Sequence, residues 1–297
     1  MKQITSWAFL LALASTMPVI GQDYLIPVAS TNAATCGAPP FAVVTQKTGY
    51  VSCGRAGYFH WIAVGGGWAT ALTLSNPTSF DTVVQISLLD QSGNASSGLT
   101  LVRNGTNLGV QSADTQTLPK HGSIRWEMPS GTSPTEANGQ ILVQVLAKDA
   151  LSLQSILASE DYTYTNAAGV VYSTVTLPIA WIDRALSIYT ATFEESSTDG
   201  SLGSFAIQDA SGSGQTVDVQ AFDLNGNVLG DQKVVLTAGQ VVAKTSDGLF
   251  GASTFKSLSP SPIARVQFTG ADKINVLVLQ VRGQSLASMP ANAVLEQ

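Results

Sequence analysis

The chain has 297 residues and a mass of 30.9 kDa, a size that suits two domains of ordinary length. Only 11% of residues are charged and the net charge is −6, which excludes the basic face of a nucleic-acid binder. A 44% hydrophobic content excludes a disordered chain, and two histidines, His60 and His121, exclude a histidine-rich metal site.

The first segment reads as a targeting signal. Lys2 supplies a positive start, Trp7 to Ala14 an apolar stretch, and Ser15 to Gly21 a small-residue, breaker-containing end. The apolar run is too short to span a bilayer, so residues 1–21 are expected to be a signal peptide. Leu286 to Gln297 has no hydrophobic tail. The mature chain is therefore expected to be exported, to the periplasm, the cell surface or the medium, without membrane insertion. Cys36 and Cys53 are the only cysteines. An isolated pair in an oxidising compartment predicts a disulfide closing the N-terminal segment, residues 22–56.

Beyond Cys53 the sequence alternates with a period of two. Val84, Ile86 and Leu88 alternate with Gln85 and Ser87, and Ile141, Val143 and Val145 with Gln140 and Gln144. The pattern predicts strands with one buried and one solvated face, separated by Gly-, Asn-, Asp- and Pro-rich turns. No stretch carries a sustained helical period. The expected class is all-β.

The chain also repeats itself. Residues 68–94 fall on 201–227 at a constant offset: Val84, Ile86 and Leu88 on Val217, Val219 and Ala221, and the turn Asp90–Asn94 on Asp223–Asn227. Leu118–Ile124 resembles Leu236–Val241, one residue shorter, and Val143 falls on Val266. The first copy carries an excess around Gly98 to Ala113, predicted to be an added hairpin with Asn104-Gly105 at its tip. Two antiparallel β-sandwiches in tandem follow, at residues 57–160 and 189–284, with a strand-like junction at 161–188 and a tail at 285–297.

The run Gly65-Gly66-Gly67-Trp68-Ala69-Thr70-Ala71-Leu72-Thr73-Leu74-Ser75-Asn76-Pro77 resembles the opening of uncharacterised exported bacterial proteins with immunoglobulin-like repeats. In the second copy Trp68 falls on Ser201 and Asn76 on Asp209, a divergent match. The resemblance implies immunoglobulin-like sandwiches and export, and carries no catalytic residues.

The chemistry-bearing residues are sparse. No G-x-S-x-G elbow accompanies either histidine, so His60 reads as structural and His121 as a solvated turn residue. Glu160-Asp161 and Glu194-Glu195 are adjacent pairs whose members should point to opposite faces of a strand and meet solvent. Asp223-Leu224-Asn225-Gly226-Asn227 spaces oxygens like a calcium loop but lacks the remaining acids, so it reads as a hairpin turn. Trp61, Trp68, Trp126 and Trp181 either pack inside or, exposed on one face, could stack on sugar rings. No cofactor or metal is expected. The expected function is non-catalytic: a structural or adhesion-type protein that contacts extracellular protein or polysaccharide. The alternatives are a carbohydrate-binding module built on the tryptophans and, more distantly, a hydrolase with an unrecognised site.

Overall fold

The computed structural model describes residues 42–45, 51–130, 137–147, 156–196, 200–255, 258, 263–282, 285–289 and 291–294. The leader-like residues 1–21 and Cys36 lie outside them, and with Cys36 the expected Cys36–Cys53 bond.

The chain is all-β with antiparallel sheets. The first half contributes β1 (Ala42–Thr45), β2 (Val51–Val64), β3 (Trp68–Ser75), β4 (Thr82–Asp90), β5 (Leu99–Arg103), β6 (Thr106–Gln111), β7 (Ala113–Leu118), β8 (Ser123–Met128), β9 (Ala137–Ala147), β10 (Leu157–Thr165), β11 (Val171–Pro178) and β12 (Ala180–Trp181). One sheet runs β1-β2-β9-β4-β7, with β12 also on β2; the other runs β11-β10-β3-β8-β5-β6. Alternation places Phe59, Ile86 and Val143 of one sheet against Leu72, Leu74 and Trp126 of the other, all buried in one cluster.

The second half contributes β13 (Leu186–Glu194), β14 (Ser201–Asp209), β15 (Gln215–Phe222), β16 (Val228–Leu236), β17 (Val241–Thr245), β18 (Ile263–Arg282), β19 (Ser285–Met289) and β20 (Asn292–Ala293). β18 serves two layers. Its first part pairs with β13 and β15, and its second part with β14 and β19. Phe193, Phe205, Val219 and Phe268 form the buried core between them.

The pairing graph of the second half repeats that of the first. β2, β4, β7 and β9 correspond to β13, β15, β16 and the first part of β18; β3, β8, β10 and β11 correspond to β14, β17, the second part of β18 and β19. Even β12 on Gly57 and Tyr58 has its counterpart in β20 on Tyr189 and Thr190. Asp90 and Asp223 organise identical turns: each accepts the N–H of the residues two and four ahead at 2.8–2.9 Å. Gly93 and Gly226, at φ 83° and 86°, supply the left-handed step. The excess in the first copy is the β5–β6 hairpin, with Asn104 and Gly105 at φ 46° and 79° on its tip.

Several expectations shift. Leu88 pairs with Ile141 and Ala221 with Val266, so Ile141, not Val143, corresponds to Val266, a two-residue slip that keeps the core face. Leu74 faces Ile124 and Ile207 faces Val242, so the turn after Leu118 has the same length in both copies. The strands also overrun the expected boundaries. β10 and β11 complete the second sheet of the first half, so most of 161–188 is not a junction, and Ser285–Met289 is a paired strand rather than a tail. A short helix absent from the sequence reading, α1 (Ser246–Phe250), is capped by the Thr245 side chain, which accepts from the Gly248 N–H at 3.0 Å.

The largest departure concerns the outer face of the β2-β9-β4 sheet. Gln140 and Gln144 were expected in solvent, yet both are buried. The second half covers Gln140. Gln208 Nε2 donates to Gln140 Oε1 at 2.7 Å, Gln140 Nε2 to Gly239 O at 2.9 Å, and Asn275 Nδ2 to Gln208 Oε1 at 3.3 Å. The Val241 N–H donates to Gln91 O at 3.0 Å. Leu277, Leu279 and Leu286 of the second half pack with Trp61, Trp68, Tyr162, Val175 and Leu177 of the first. Amides on both sides find one another, which removes the penalty of burying them.

Candidate functional site

The four tryptophans do not form a ligand platform. Trp126 is fully buried, and its Nε1–H donates to Asp114 Oδ2 at 2.8 Å. Trp181 packs in the first core, where Gly57 leaves room: a Cβ there would stand 2.8 Å from the Trp181 ring. Trp68 is buried against Tyr164, with ring centroids 4.9 Å apart. Trp61 is half-buried in the same group. The packing alternative therefore describes Trp68, Trp126 and Trp181.

The carboxylate pairs part as strand geometry requires, but they are not simply solvated. Asp161 faces outward and accepts from Arg125 at 3.1 Å and from Thr176 Oγ1 at 2.7 Å. Glu160 faces inward and is fully buried, in the place that Val278 takes in the second half. Tyr162 Oη lies 2.7 Å from Glu160 Oε2 and also contacts Trp61 O. Burial pushes the Glu160 carboxyl well above the usual range, and burial likewise raises Tyr162. The phenol has one hydrogen and two acceptors in reach. A protonated Glu160 resolves this: its O–H donates to Tyr162 Oη, whose own hydrogen goes to Trp61 O. Glu160 Oε1 has no partner.

A bulge makes that contact. Phe59 pairs with Ile141 and Ile62 with Gly139, so β2 carries one residue more than β9 between them. His60 occupies the bulge and is buried; desolvation pulls its imidazole down to about 4, and its Nε2 has no partner. His121 is an exposed turn residue at φ 57°, as expected. Glu194 is bridged to Arg282, whereas Glu195 is half-buried against Ser246. Asp223 spends its oxygens on its own turn, accepting from Asn225 N, Asn227 N and Asn227 Nδ2. Among the described residues no group of three or more His, Cys, Asp or Glu side chains is placed to hold a metal ion.

What remains on the surface is a polar sheet face. Across β3, β8, β10 and β11, Arg125 reaches Glu127 at 2.8 Å, Asp161 at 3.1 Å and Thr73 Oγ1 at 3.1 Å, and Thr176 joins Asp161. Ser75 and Ser123 bond at 2.7 Å along the same rows. Thr73, Arg125 and Asp161 alternate with buried neighbours; sequence reasoning placed Glu160 in solvent with Asp161 and missed its burial.

No protein-family model matches the chain, and no curated protein does. Among solved structures, Arthrobacter globiformis T6 isomalto-dextranase complexed with panose is similar at 12% sequence identity over 73% of this chain, with a TM-score of 0.23. The chain covers 35% of that protein's length. A likeness this slight carries no argument. Among the described residues no helix is long and apolar enough to cross a membrane.

Proposed function

We propose that the chain is a non-catalytic exported protein of two tandem immunoglobulin-like β-sandwiches, structural or adhesive in role, that meets proteins or polymers through a flat polar sheet face. The Arg125 network is the observation that carries this reading. It sets a guanidinium, two carboxylates and threonine hydroxyls on one exposed sheet surface, where each group still has valences for a partner. The export half of the proposal rests on the residues of the leader-like start.

The rival readings have less to stand on. A carbohydrate module built on stacking needs exposed rings, and Trp68, Trp126 and Trp181 are interior. Glycoside hydrolysis needs two carboxylates about 5 Å or more apart. Of the adjacent pairs, Glu160 is fully buried while Asp161 is bound by Arg125, and Glu194 is bridged to Arg282 while Glu195 is bound by Ser246.

The test is binding to cell-wall material, matrix polysaccharide and whole cells, with and without chelator. Binding should survive chelation and should fall about tenfold in Arg125→Ala with the fold intact. Turnover of any polymer, or binding abolished by chelation and restored by calcium, would overturn the proposal.

A further inference from the structure

β16 is the outermost strand of its sheet: among the described residues it pairs with β15 and has no strand on its other side. The main-chain groups on that side are a template for a further strand. β16 is nine residues long, contains no proline, and keeps an unbroken register with β15 from Gly230 to Leu236. β6, an edge strand of the first half, is blunter, with a register break and Gly109 at φ 74° within six residues.

The side chains of β16 are unlike those of a solvated edge. Val228 and Val235 are 59% and 70% exposed. Leu229, Asp231, Lys233 and Val235 alternate onto the outer face, while Val234 and Leu236 are buried on the inner one. Lys233 Nζ donates to Asp218 Oδ1 of β15 at 2.9 Å, and Asp231 lies 3.5 Å from Gln220 Nε2. An edge lysine ordinarily keeps a second strand away. Here Asp218 already meets its charge, and Asp231, of opposite sign, stands two residues before it on the same face.

That spacing selects a partner and a register. When two copies of β16 join antiparallel about a two-fold axis, residues opposite each other must lie on the same face of the joined sheet. With Gln232 on the axis, Asp231 faces the partner's Lys233, Lys233 faces the partner's Asp231, and Leu229 and Val235 face each other across both ends. An axis at Asp231 or at Lys233 sets like charges opposite each other. An axis between residues sets outer-face side chains against inner-face ones, and axes further along shorten the seam.

We propose that the chain self-associates as a two-fold dimer through β16, with Gln232 on the axis, so that the two sheets become one. Asp218, Lys233, the partner's Asp231 and the partner's Gln220 then form one row across four strands, and its two-fold image forms the next. Main-chain hydrogen bonds hold the seam, and the charged rows fix its register. The strand lies apart from the Arg125 face, so the proposal stands independently of the function proposed above.

The experiment is sedimentation velocity of the full chain over a range of concentrations, where a monomer–dimer equilibrium is expected. Asp231→Lys sets two pairs of lysines in the seam, and Lys233→Asp two pairs of aspartates. Each variant alone should weaken the dimer roughly 10- to 100-fold. Mixed, the two variants restore opposite charges in both rows and should form a heterodimer as tight as the wild-type dimer. Matching circular dichroism of the single variants keeps the mixture decisive. A wild-type chain that stays monomeric, single variants that dimerise like the wild type, or a mixture that stays dissociated would each overturn the proposal.

Discussion

The outer faces of two corresponding sheets, β2-β9-β4 in the first half and β13-β18-β15 in the second, share pairing and register but have opposite fates. In the first, Leu89, Gln140, Leu142 and Gln144 are buried, Gln140 against Gln208 and Gly239 of the second half and Leu89 and Leu142 in a cluster with Ile182. Their counterparts by strand register are Phe222, Arg265, Gln267 and Thr269, none of them buried. Arg265 lies 4.5 Å over the Phe222 ring, and Gln267 reaches Thr269 on its own strand. Inner faces set each fold; outer faces decide which half receives a neighbour. Gln140 of the first half receives one, and the charged and hydroxyl set of the second half finds its partners on its own sheet.

Placing the same charge at both faces should break this comparison most strongly. Leu142→Asp puts an unpaired charge into the covered face beside Leu89 and Ile182 and is expected to cost about 3–5 kcal/mol. Gln267→Asp, its counterpart, should stay within about 0.5 kcal/mol. Chemical denaturation of both variants checks this, and equal losses would refute the assignment of the two faces.

Two buried titratable groups sharpen it with pH. The neutral His60 has its value lowered from 6.5 to about 4. Its stability contribution is therefore present above about 6.5 and is lost as the pH falls toward 4, by about 3 kcal/mol. Glu160 has the opposite sign. Its raised value makes its contribution complete in acid and lost as the pH rises from its ordinary value of 4.5. The second half has Val278, which does not titrate, at that place. Denaturation midpoints of His60→Gln should flatten the acid limb. Those of Glu160→Gln should flatten the opposite limb, and a variant that leaves its limb unchanged would remove that residue from the account.

A smaller effect is expected at the amide chain. Gln208→Ala leaves Gln140 Oε1 and Asn275 Nδ2 without their partner, which should cost about 1–3 kcal/mol. Ser75, the counterpart of Gln208, bonds Ser123 at the surface, so Ser75→Ala should cost no more than about 0.5 kcal/mol.

These contrasts also explain what the sequence could say. Alternation at Val84–Leu88 and Ile141–Val145 marked the core face because a core excludes water from one side whatever covers the other. The Asp-x-x-Gly-Asn turns were readable because their carboxylate bonds are local. The burial of Gln140 and Glu160 was not, since glutamine and glutamate on a strand signal solvent until a distant segment supplies the cover. The slip from Val143 to Ile141 has a similar origin: a move of two residues preserves the hydrophobic alternation and changes only the partner across the sheet. α1 is five residues long, too short for a helical period to register.

The smallest contrast isolates the junction within a single turn type. Gly93 and Gly226 sit at the same step of identical turns, with φ 83° and 86°. Replacing either by alanine costs about 1–2 kcal/mol for the left-handed backbone alone. The surroundings differ. A Cβ on Gly226 would meet nothing within 4 Å, whereas one on Gly93 would stand 3.0 Å from Gly239 O in the second half. That contact is tighter than van der Waals distance, and the atom it meets is backbone that already accepts from Gln140. Gly93→Ala should therefore destabilise more than Gly226→Ala, by about 1 kcal/mol, the scale of a crowded contact that must shift. The backbone penalty cancels in the difference, so the remainder measures how firmly the second half is held at Gly239. Equal melting temperatures for the two variants would mean that the junction yields at this point at no cost, and the rigid seat of one half on the other would have to be given up.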